Sequence, residues 1–216
     1  MPDPLPEFRA DTRFDPALRD LAARGDVRRY RKGTILVQEG DPGETVFIML
    51  SGRVKIYSAD SNDKEITFGV FGAGEYFGEM ALDGGVRSAN VKTLEPTTCS
   101  VVTRSVILSF ISQQPEFAMV LLSKVIRRLR LATRDARNLA FIDVYGRLTR
   151  CLMELAQPQA DGSHKILERI THQEIASRVG CSREMVSRIL KDLESGRYIR
   201  LVDRRIVLVT KLPQHW

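Results

Sequence analysis

Between Thr171 and Ser195 the chain reads THQEIASRVGCSREMVSRILKDLES, and its apolar positions fall into two helical sets. Ile175, Ala176 and Val179 make one stripe; Val186, Ile189, Leu190 and Leu193 make the other. Thr171 predicts an N-cap, and Glu174 can reach back to its N–H to complete a capping box. Gly180 ends the first helix, where the backbone needs positive φ. Ser182 caps the second helix and Gly196 ends it. Ala176, Gly180 four residues later and Val186 six beyond that have the spacing of a helix-turn-helix, whose second helix enters the DNA major groove. The same spacing also suits a helical hairpin in another core.

Upstream the pattern changes. FDPALRDLAAR predicts a short helix capped by Asp15 with Pro16 at its first position, ended by Gly25. From Val27 to about Val102, short alternating or β-branched runs are separated by Gly, Asp, Asn or Pro, which predicts a β-sandwich or barrel-like roll. Ser105 to Gln113 reads as a short helix.

Pro115 then opens a long helix to about Asn138. Its small or apolar residues Ala118, Leu122, Val125, Leu129, Ala132, Ala136 and Leu139 step by 4, 3, 4, 3, 4 and 3, a heptad seam. The other side, within RRLRLATRDAR, is dense in charge. The seam suits a parallel homodimer; a helix lying on its own domain gives a similar stripe. Residues 139–143 form a candidate hinge, with Asp143 capping a helix from Val144 to Ala156. Pro158 to Ser163 reads as a loop, and RYIRLVDRRIVLVTK as a hairpin or wing around Asp203. The resulting division is a β-roll domain over 1–113, a dimerisation helix over 114–139, a hinge over 140–143 and a helix-turn-helix domain over 144–216.

Charge sharpens this picture. The 216 residues carry a net +6, and from Val144 onward 13 Lys+Arg face 8 Asp+Glu, a net +5. The basic excess therefore accompanies the helix-turn-helix, as attraction to phosphate requires. No apolar run approaches the roughly 18–20 residues that span a bilayer, and the polar N-terminus does not resemble a signal peptide, so a cytoplasmic protein without membrane partners is expected. Cys99, Cys151 and Cys181 are far apart and form no Cys-x-x-Cys; buried free thiols are expected. His164, His172 and His215 show no metal spacing, so no metal site is expected.

Candidate chemistry lies in GAGEYFGEMALDGGVRSANV. Gly78 and Gly84-Gly85 let backbone approach a ligand, and Met80-Ala81-Leu82 can start a short helix with free N–H groups. Arg87 can fork onto a phosphate, Ser88 adds a hydroxyl, and Glu79 can accept from a sugar hydroxyl. A loop with a structural Glu79–Arg87 pair is the alternative. On the second helix of the helix-turn-helix, Ser182, Arg183, Glu184, Ser187 and Arg188 lie outward. Arginine can donate twice to guanine O6 and N7, and glutamate can accept from cytosine N4. A solvated face with an i,i+4 Glu184–Arg188 pair, worth about 0.3–0.5 kcal/mol, is the alternative.

FGEMAL…RSANV within a β-roll, a long helix ending in RNLAFIDVYGRL, and CSREMVSRIL together resemble the cyclic AMP receptor protein (catabolite activator protein)/FNR family of bacterial transcription regulators, over about residues 14–210. The resemblance implies an α+β fold: an N-terminal cyclic-nucleotide-binding, jelly-roll-like β-roll, a long dimerisation helix and a C-terminal winged helix-turn-helix. It implies that Gly78 and Glu79 hold a ribose, that Arg87 and Ser88 hold a cyclic phosphate, and that Ile56 and Phe68 face the base. Two neighbouring hydroxyls of the family's long helix, which reach the adenine, match Ala132 and Thr133, so only Thr133 keeps one. The stretch from Glu79 to Arg87 is also shorter than is usual in the family.

Cyclic AMP is the expected allosteric ligand and no other cofactor is expected; relatives bind cyclic di-GMP, 2-oxoglutarate, haem or nothing. The implied partners are double-stranded DNA, RNA polymerase and a second copy of the chain, with Leu122, Val125, Leu129, Ala132 and Ala136 at the dimer seam. Arg183, Glu184 and Arg188 are expected to read bases of a TGTGA-like inverted repeat, with Ser182 and Gln173 joining the DNA contacts. No nucleophile–base pair, metal set or acid–base dyad accompanies Glu79 and Arg87, which argues against an enzyme. A nucleotide-binding scaffold with an inert C-terminal domain would lack a use for the Arg183/Glu184/Arg188 face.

Overall fold

The computed structural model describes residues 5–12, 14–61, 65–159 and 162–213. By internal contacts the chain divides into two units, residues 1–58 with 67–129 and residues 59–66 with 130–216.

The first unit begins with two short helices. Helix α1 (Leu5–Ala10) was not expected from its polar sequence; Phe8 is its buried anchor and stacks on Phe14 at 4.7 Å between ring centroids. Helix α2 (Pro16–Ala22) starts where Asp15 Oδ1 accepts from the N–H groups of Ala17 at 2.9 Å and Leu18 at 3.3 Å. These bonds satisfy donors that a first helical turn leaves unpaired.

The strands follow as β1 (Asp26–Tyr30), β2 (Ile35–Val37), β3 (Thr45–Ser51), β4 (Val54–Ala59), β5 (Glu65–Phe71), β6 (Tyr76–Phe77), β7 (Asn90–Thr93) and β8 (Thr97–Thr103). They form two four-stranded sheets, β1-β8-β3-β6 and β2-β7-β4-β5. Strand β3 runs antiparallel to β8, from Thr45 opposite Thr103 to Ser51 opposite Thr98, with a register shift after Met49. Inner residues Phe47, Met49, Val54, Phe77, Val91 and Cys99 form one apolar cluster of the roll. Helix α3 (Arg104–Gln113) is capped by Thr103 and packs Ile107 and Phe110 inward.

Helix α4 (Glu116–Phe141) runs three residues beyond the expected end at Asn138. Leu139, Ala140 and Phe141 contain no breaker, so the backbone stays helical until Asp143 caps the next helix. The non-helical part of the expected hinge is therefore shorter, Ile142 and Asp143. Phe117 is the one buried residue of α4 among those described.

In the second unit, α5 (Val144–Leu155) starts with Asp143 Oδ1 accepting from Gly146 N at 2.8 Å. Strands β9 (Gln157–Pro158) and β10 (His164–Lys165) flank the expected loop, so its ends pair where a plain loop was expected. Residues 160 and 161 of that loop, and His215, lie outside the described residues. Helices α6 (His172–Val179) and α7 (Arg183–Ser195) follow, then β11 (Ile199–Val202) and β12 (Arg205–Leu208). The sheet order is β11-β12-β10-β9. Leu148, Leu152, Ile175, Val186, Leu193 and Ile206 share one core, in which two helical stripes and one face of the wing exclude water together.

Candidate functional site

Two regions hold the residues singled out by sequence. The first is the turn between β6 and β7. Gly78 has φ +91°, and a Cβ there would stand 2.8 Å from Thr45 O and 2.7 Å from Arg87 Nη1. Only glycine fits this backbone and this approach. A 3₁₀ helix, Glu79–Asp83, follows at once, where Met80-Ala81-Leu82 predicted a short helix.

Arg87 is only 8% exposed. Its Nη1 donates to Thr45 O at 2.9 Å and Gly78 O at 3.0 Å, and its Nη2 donates to Thr45 Oγ1 at 3.0 Å. Burial lowers the pKa of its guanidinium, and the nearby Glu79 carboxylate partly offsets that. The structural Glu79–Arg87 ion pair considered from sequence does not form. Instead Glu79 Oε1, on a side chain 14% exposed, accepts from Arg128 Nη1 at 2.8 Å.

Arg128 is the residue that the sequence concealed. It lies in the charge-dense run of α4, and its side chain is only 23% exposed. Its Nη2 lies 3.3 Å from Glu75 Oε2 and also donates to Tyr76 O. The guanidinium covers the rings of Phe71 at 4.5 Å and Tyr76 at 4.8 Å. Lys124 Nζ donates to Gly74 O at 2.8 Å, and Tyr76 Oη donates to Leu121 O at 3.1 Å. Positions 121, 124 and 128 share one helical face, so one side of α4 is tied to the Gly74–Glu79 segment by three side chains. The periodicity of three and four was the available signal, but basic residues in a helix are mostly solvated.

Ser88 Oγ lies 3.2 Å from Met80 Sδ. Ile56 packs against the cluster around Val54 and Val91, whereas Phe68 is largely exposed. Ala132 and Thr133 are both exposed on α4. Gly78, Glu79 and Arg87 are thus brought together. Along the predicted seam, Leu122 is 47% and Leu129 65% exposed, Val125 and Leu139 are exposed, and Ala132 and Ala136 are open to solvent.

The second region is the helix pair. Thr171 Oγ1 accepts from Glu174 N at 3.1 Å while Thr171 N donates to Glu174 Oε2 at 2.6 Å, the expected capping box. Gly180 has φ +73° and its N–H donates to Ala176 O at 2.8 Å. Ser182 caps α7, its Oγ accepting from Met185 N at 3.2 Å. Arg183, Glu184 and Arg188 are exposed on α7, and Gln173 is exposed on α6. Among the described residues none forms an ion pair with Arg183, Glu184 or Arg188, so the considered Glu184–Arg188 pair is not made. Ser187 Oγ lies 2.8 Å from His172 Nδ1, a contact across the two helices that sequence reasoning missed.

The sulfur sites are packing sites. Burial pushes the Cys99 thiol up to about 12 and the Cys151 thiol up to about 11. No group of three or more His, Cys, Asp or Glu residues able to hold a metal occurs among the described residues. No helix among them is long and apolar enough to cross a membrane.

Known proteins share both regions. The cyclic nucleotide-binding domain matches residues 27–114, and the Crp-like helix-turn-helix domain matches residues 146–213. The cAMP-activated global transcriptional regulator CRP of Haemophilus influenzae is 37% identical over 206 residues, covering 91% of this chain and 90% of the relative. The CRP-like cAMP-activated global transcriptional regulator of Mycobacterium tuberculosis is 32% identical over 183 residues, 83% of this chain and 82% of the relative. The solved structure of the c-di-GMP responsive global regulator CLP of Xanthomonas campestris superposes with a TM-score of 0.80 at 29% identity, covering 91% of this chain and 100% of that one. A cyclic nucleotide-binding domain and a helix-turn-helix domain on one chain, with this likeness along most of its length, mark a transcription regulator and not an enzyme: the chain belongs to the cyclic AMP receptor protein/FNR family.

Proposed function

We propose that this regulator acts in the cytoplasm as a homodimer that binds cyclic AMP in the roll and a TGTGA-like inverted repeat through α7. The supporting observation is the meeting of Gly78, Glu79 and Arg87 at one turn. It sets a carboxylate suited to a ribose hydroxyl beside a buried guanidinium suited to a phosphate. The dimer rests on the exposed apolar seam of α4, and the repeat follows from the two-fold symmetry of such a dimer, with half-sites about 34 Å apart. RNA polymerase is the downstream partner by family resemblance.

Ligand binding at Glu79 meets the Arg128 contact of α4, so the ligand has a route to bias the seam helix. Such a bias requires different ligand affinity for two states of the dimer. The second reading is cyclic di-GMP or another small ligand at the same turn. Ala132 in place of a hydroxyl favours it, and the structurally similar regulator of Xanthomonas campestris responds to that ligand.

The test is calorimetry with cyclic AMP, cyclic GMP, cyclic di-GMP and 2-oxoglutarate, followed by duplex binding with and without the tightest of them. Cyclic AMP is expected to bind with a Kd well below roughly millimolar, more favourable than about −4 kcal/mol, and to tighten binding to the repeat. Preference for cyclic di-GMP would replace the first reading by the second.

A further inference from the structure

Arg87 is held at both ends by the turn that precedes β3. Gly40 N donates to Arg87 O at 2.9 Å, and Arg87 N donates to Asp41 O at 2.8 Å. Pro42 and Val86 pair as an isolated antiparallel bridge. Gly43 then passes beside the guanidinium: a Cβ at this position would overlap Arg87 Nε and Cζ. Thr45, the first residue of β3, closes the turn. Its carbonyl accepts from Nη1 at 2.9 Å and its hydroxyl accepts from Nη2 at 3.0 Å. Gly78 O takes the other Nη1 proton at 3.0 Å.

A guanidinium has five N–H donors in one plane. The three bonds occupy both protons of Nη1 and one of Nη2. Among the described residues, Nε–H and the second Nη2–H have no acceptor. Because one residue supplies acceptors to Nη1 and Nη2 together, Thr45 takes the end of the fork. The free donors are left side by side on the Nε edge. Parallel N–H groups on one edge match two oxygens of one phosphate.

We propose that Thr45 is the positioning residue for Arg87, its hydroxyl fixing which edge of the guanidinium meets the two exocyclic oxygens of a cyclic phosphodiester. The inference deepens the cyclic-nucleotide reading of the roll and rests on it. Charge alone does not need this bond, because a freely turning guanidinium also attracts a phosphate. A fixed edge adds unequal treatment of the two oxygens, one meeting Nε and the other Nη2.

The test is calorimetry on the full chain with cyclic AMP and with its Rp and Sp phosphorothioates, in which sulfur, a weak acceptor, replaces one exocyclic oxygen or the other. Wild type, Thr45→Val, Thr45→Ser and Arg87→Leu are compared. Valine keeps the branching at Cβ and loses the hydroxyl, whereas serine keeps the hydroxyl. Wild type is expected to bind one diastereomer at least about threefold more tightly than the other. Thr45→Val is expected to raise the Kd for cyclic AMP about fivefold to fiftyfold, the effect of one hydrogen bond to a charged group. It also brings the two diastereomers within about twofold of each other. Thr45→Ser restores both the affinity and the ratio. A general loss of fold would weaken both diastereomers alike, so an unchanged ratio in Thr45→Val overturns the proposal. Thr45→Ser behaving as Thr45→Val overturns it too, as does a wild type that binds cyclic AMP but treats the diastereomers equally. If wild type binds no cyclic nucleotide, or Arg87→Leu binds as wild type does, the cyclic-nucleotide reading itself fails and this inference fails with it.

Discussion

Arg128 Nη1 donates to Glu79 Oε1 at 2.8 Å, joining the seam helix to the turn that carries the proposed ribose contact. The same guanidinium also lies against Glu75, so it offsets two carboxylates beside a site proposed for an anion. Arg128→Leu leaves both uncompensated. Cyclic-nucleotide affinity is expected to fall about tenfold to a hundredfold, or about 1.4–2.8 kcal/mol, in calorimetry. Unchanged or higher affinity would show that Arg128 competes with the ligand for Glu79.

Arg87→Leu is expected to abolish nucleotide binding, as the sequence suggests, and also to destabilise the fold. The replacement leaves Thr45 O and Gly78 O without a buried donor. Each such loss costs about 1–3 kcal/mol. Urea unfolding of the ligand-free chain measures this part separately from calorimetry. A variant with wild-type stability would mean that water replaces the guanidinium without penalty.

The exposed stripe on α4 predicts the assembly. Leu122→Glu with Leu129→Glu places like charges along a seam of apolar side chains and is expected to yield monomers in sedimentation velocity, with the folded far-ultraviolet spectrum retained. Dimers that persist would move the interface to another surface.

Arg183→Ala is expected to cost on the order of 1–3 kcal/mol per half-site and to relax the choice of one guanine. A backbone contact behaves otherwise: its loss weakens all sequences alike and lowers the salt slope by about one. Titrations of matched and single-base variant duplexes at several salt concentrations distinguish the two.

Thiol chemistry provides a check on packing. With burial raising Cys151 to about 11 and Cys99 to about 12, the thiolate is disfavoured and reactivity rises as pH climbs toward those values. At pH 8 a thiol of that kind is about 0.1% thiolate or less. A disulfide reagent is expected to label native protein slowly at pH 8 and to count three thiols at once in denaturant. Rapid labelling of Cys151 in native protein would contradict the packing around α5.

Elements whose signals are local were legible in the sequence. Thr171, Glu174, Gly180 and Ser182 act on backbone within a few residues of themselves, and each cap appears where the sequence implies it. Alternation and turn residues likewise predicted the roll. What was missed depends on distant partners. Arg128 looks like its basic neighbours until the fold brings Glu79 and Glu75 to it. Arg87 shows its capacity for a fork in sequence, but not that Thr45 would accept from it. Helix α1 depends on Phe8 finding Phe14, and the extra turn to Phe141 on where Asp143 takes up its cap.

The tip of the wing places an arginine where its backbone favours glycine. Asp203 and Arg204 join β11 to β12 with φ of +52° and +60°, the twist of a two-residue hairpin turn that Asn-Gly adopts readily. A side chain in this region costs on the order of 1 kcal/mol relative to glycine. Selection for thermal stability alone would therefore favour Asp-Gly here and would remove the Arg204 cation from a basic domain while keeping the Asp203 anion. At this position, hardiness of the fold and attraction to a polyanion are expected to evolve in opposite directions.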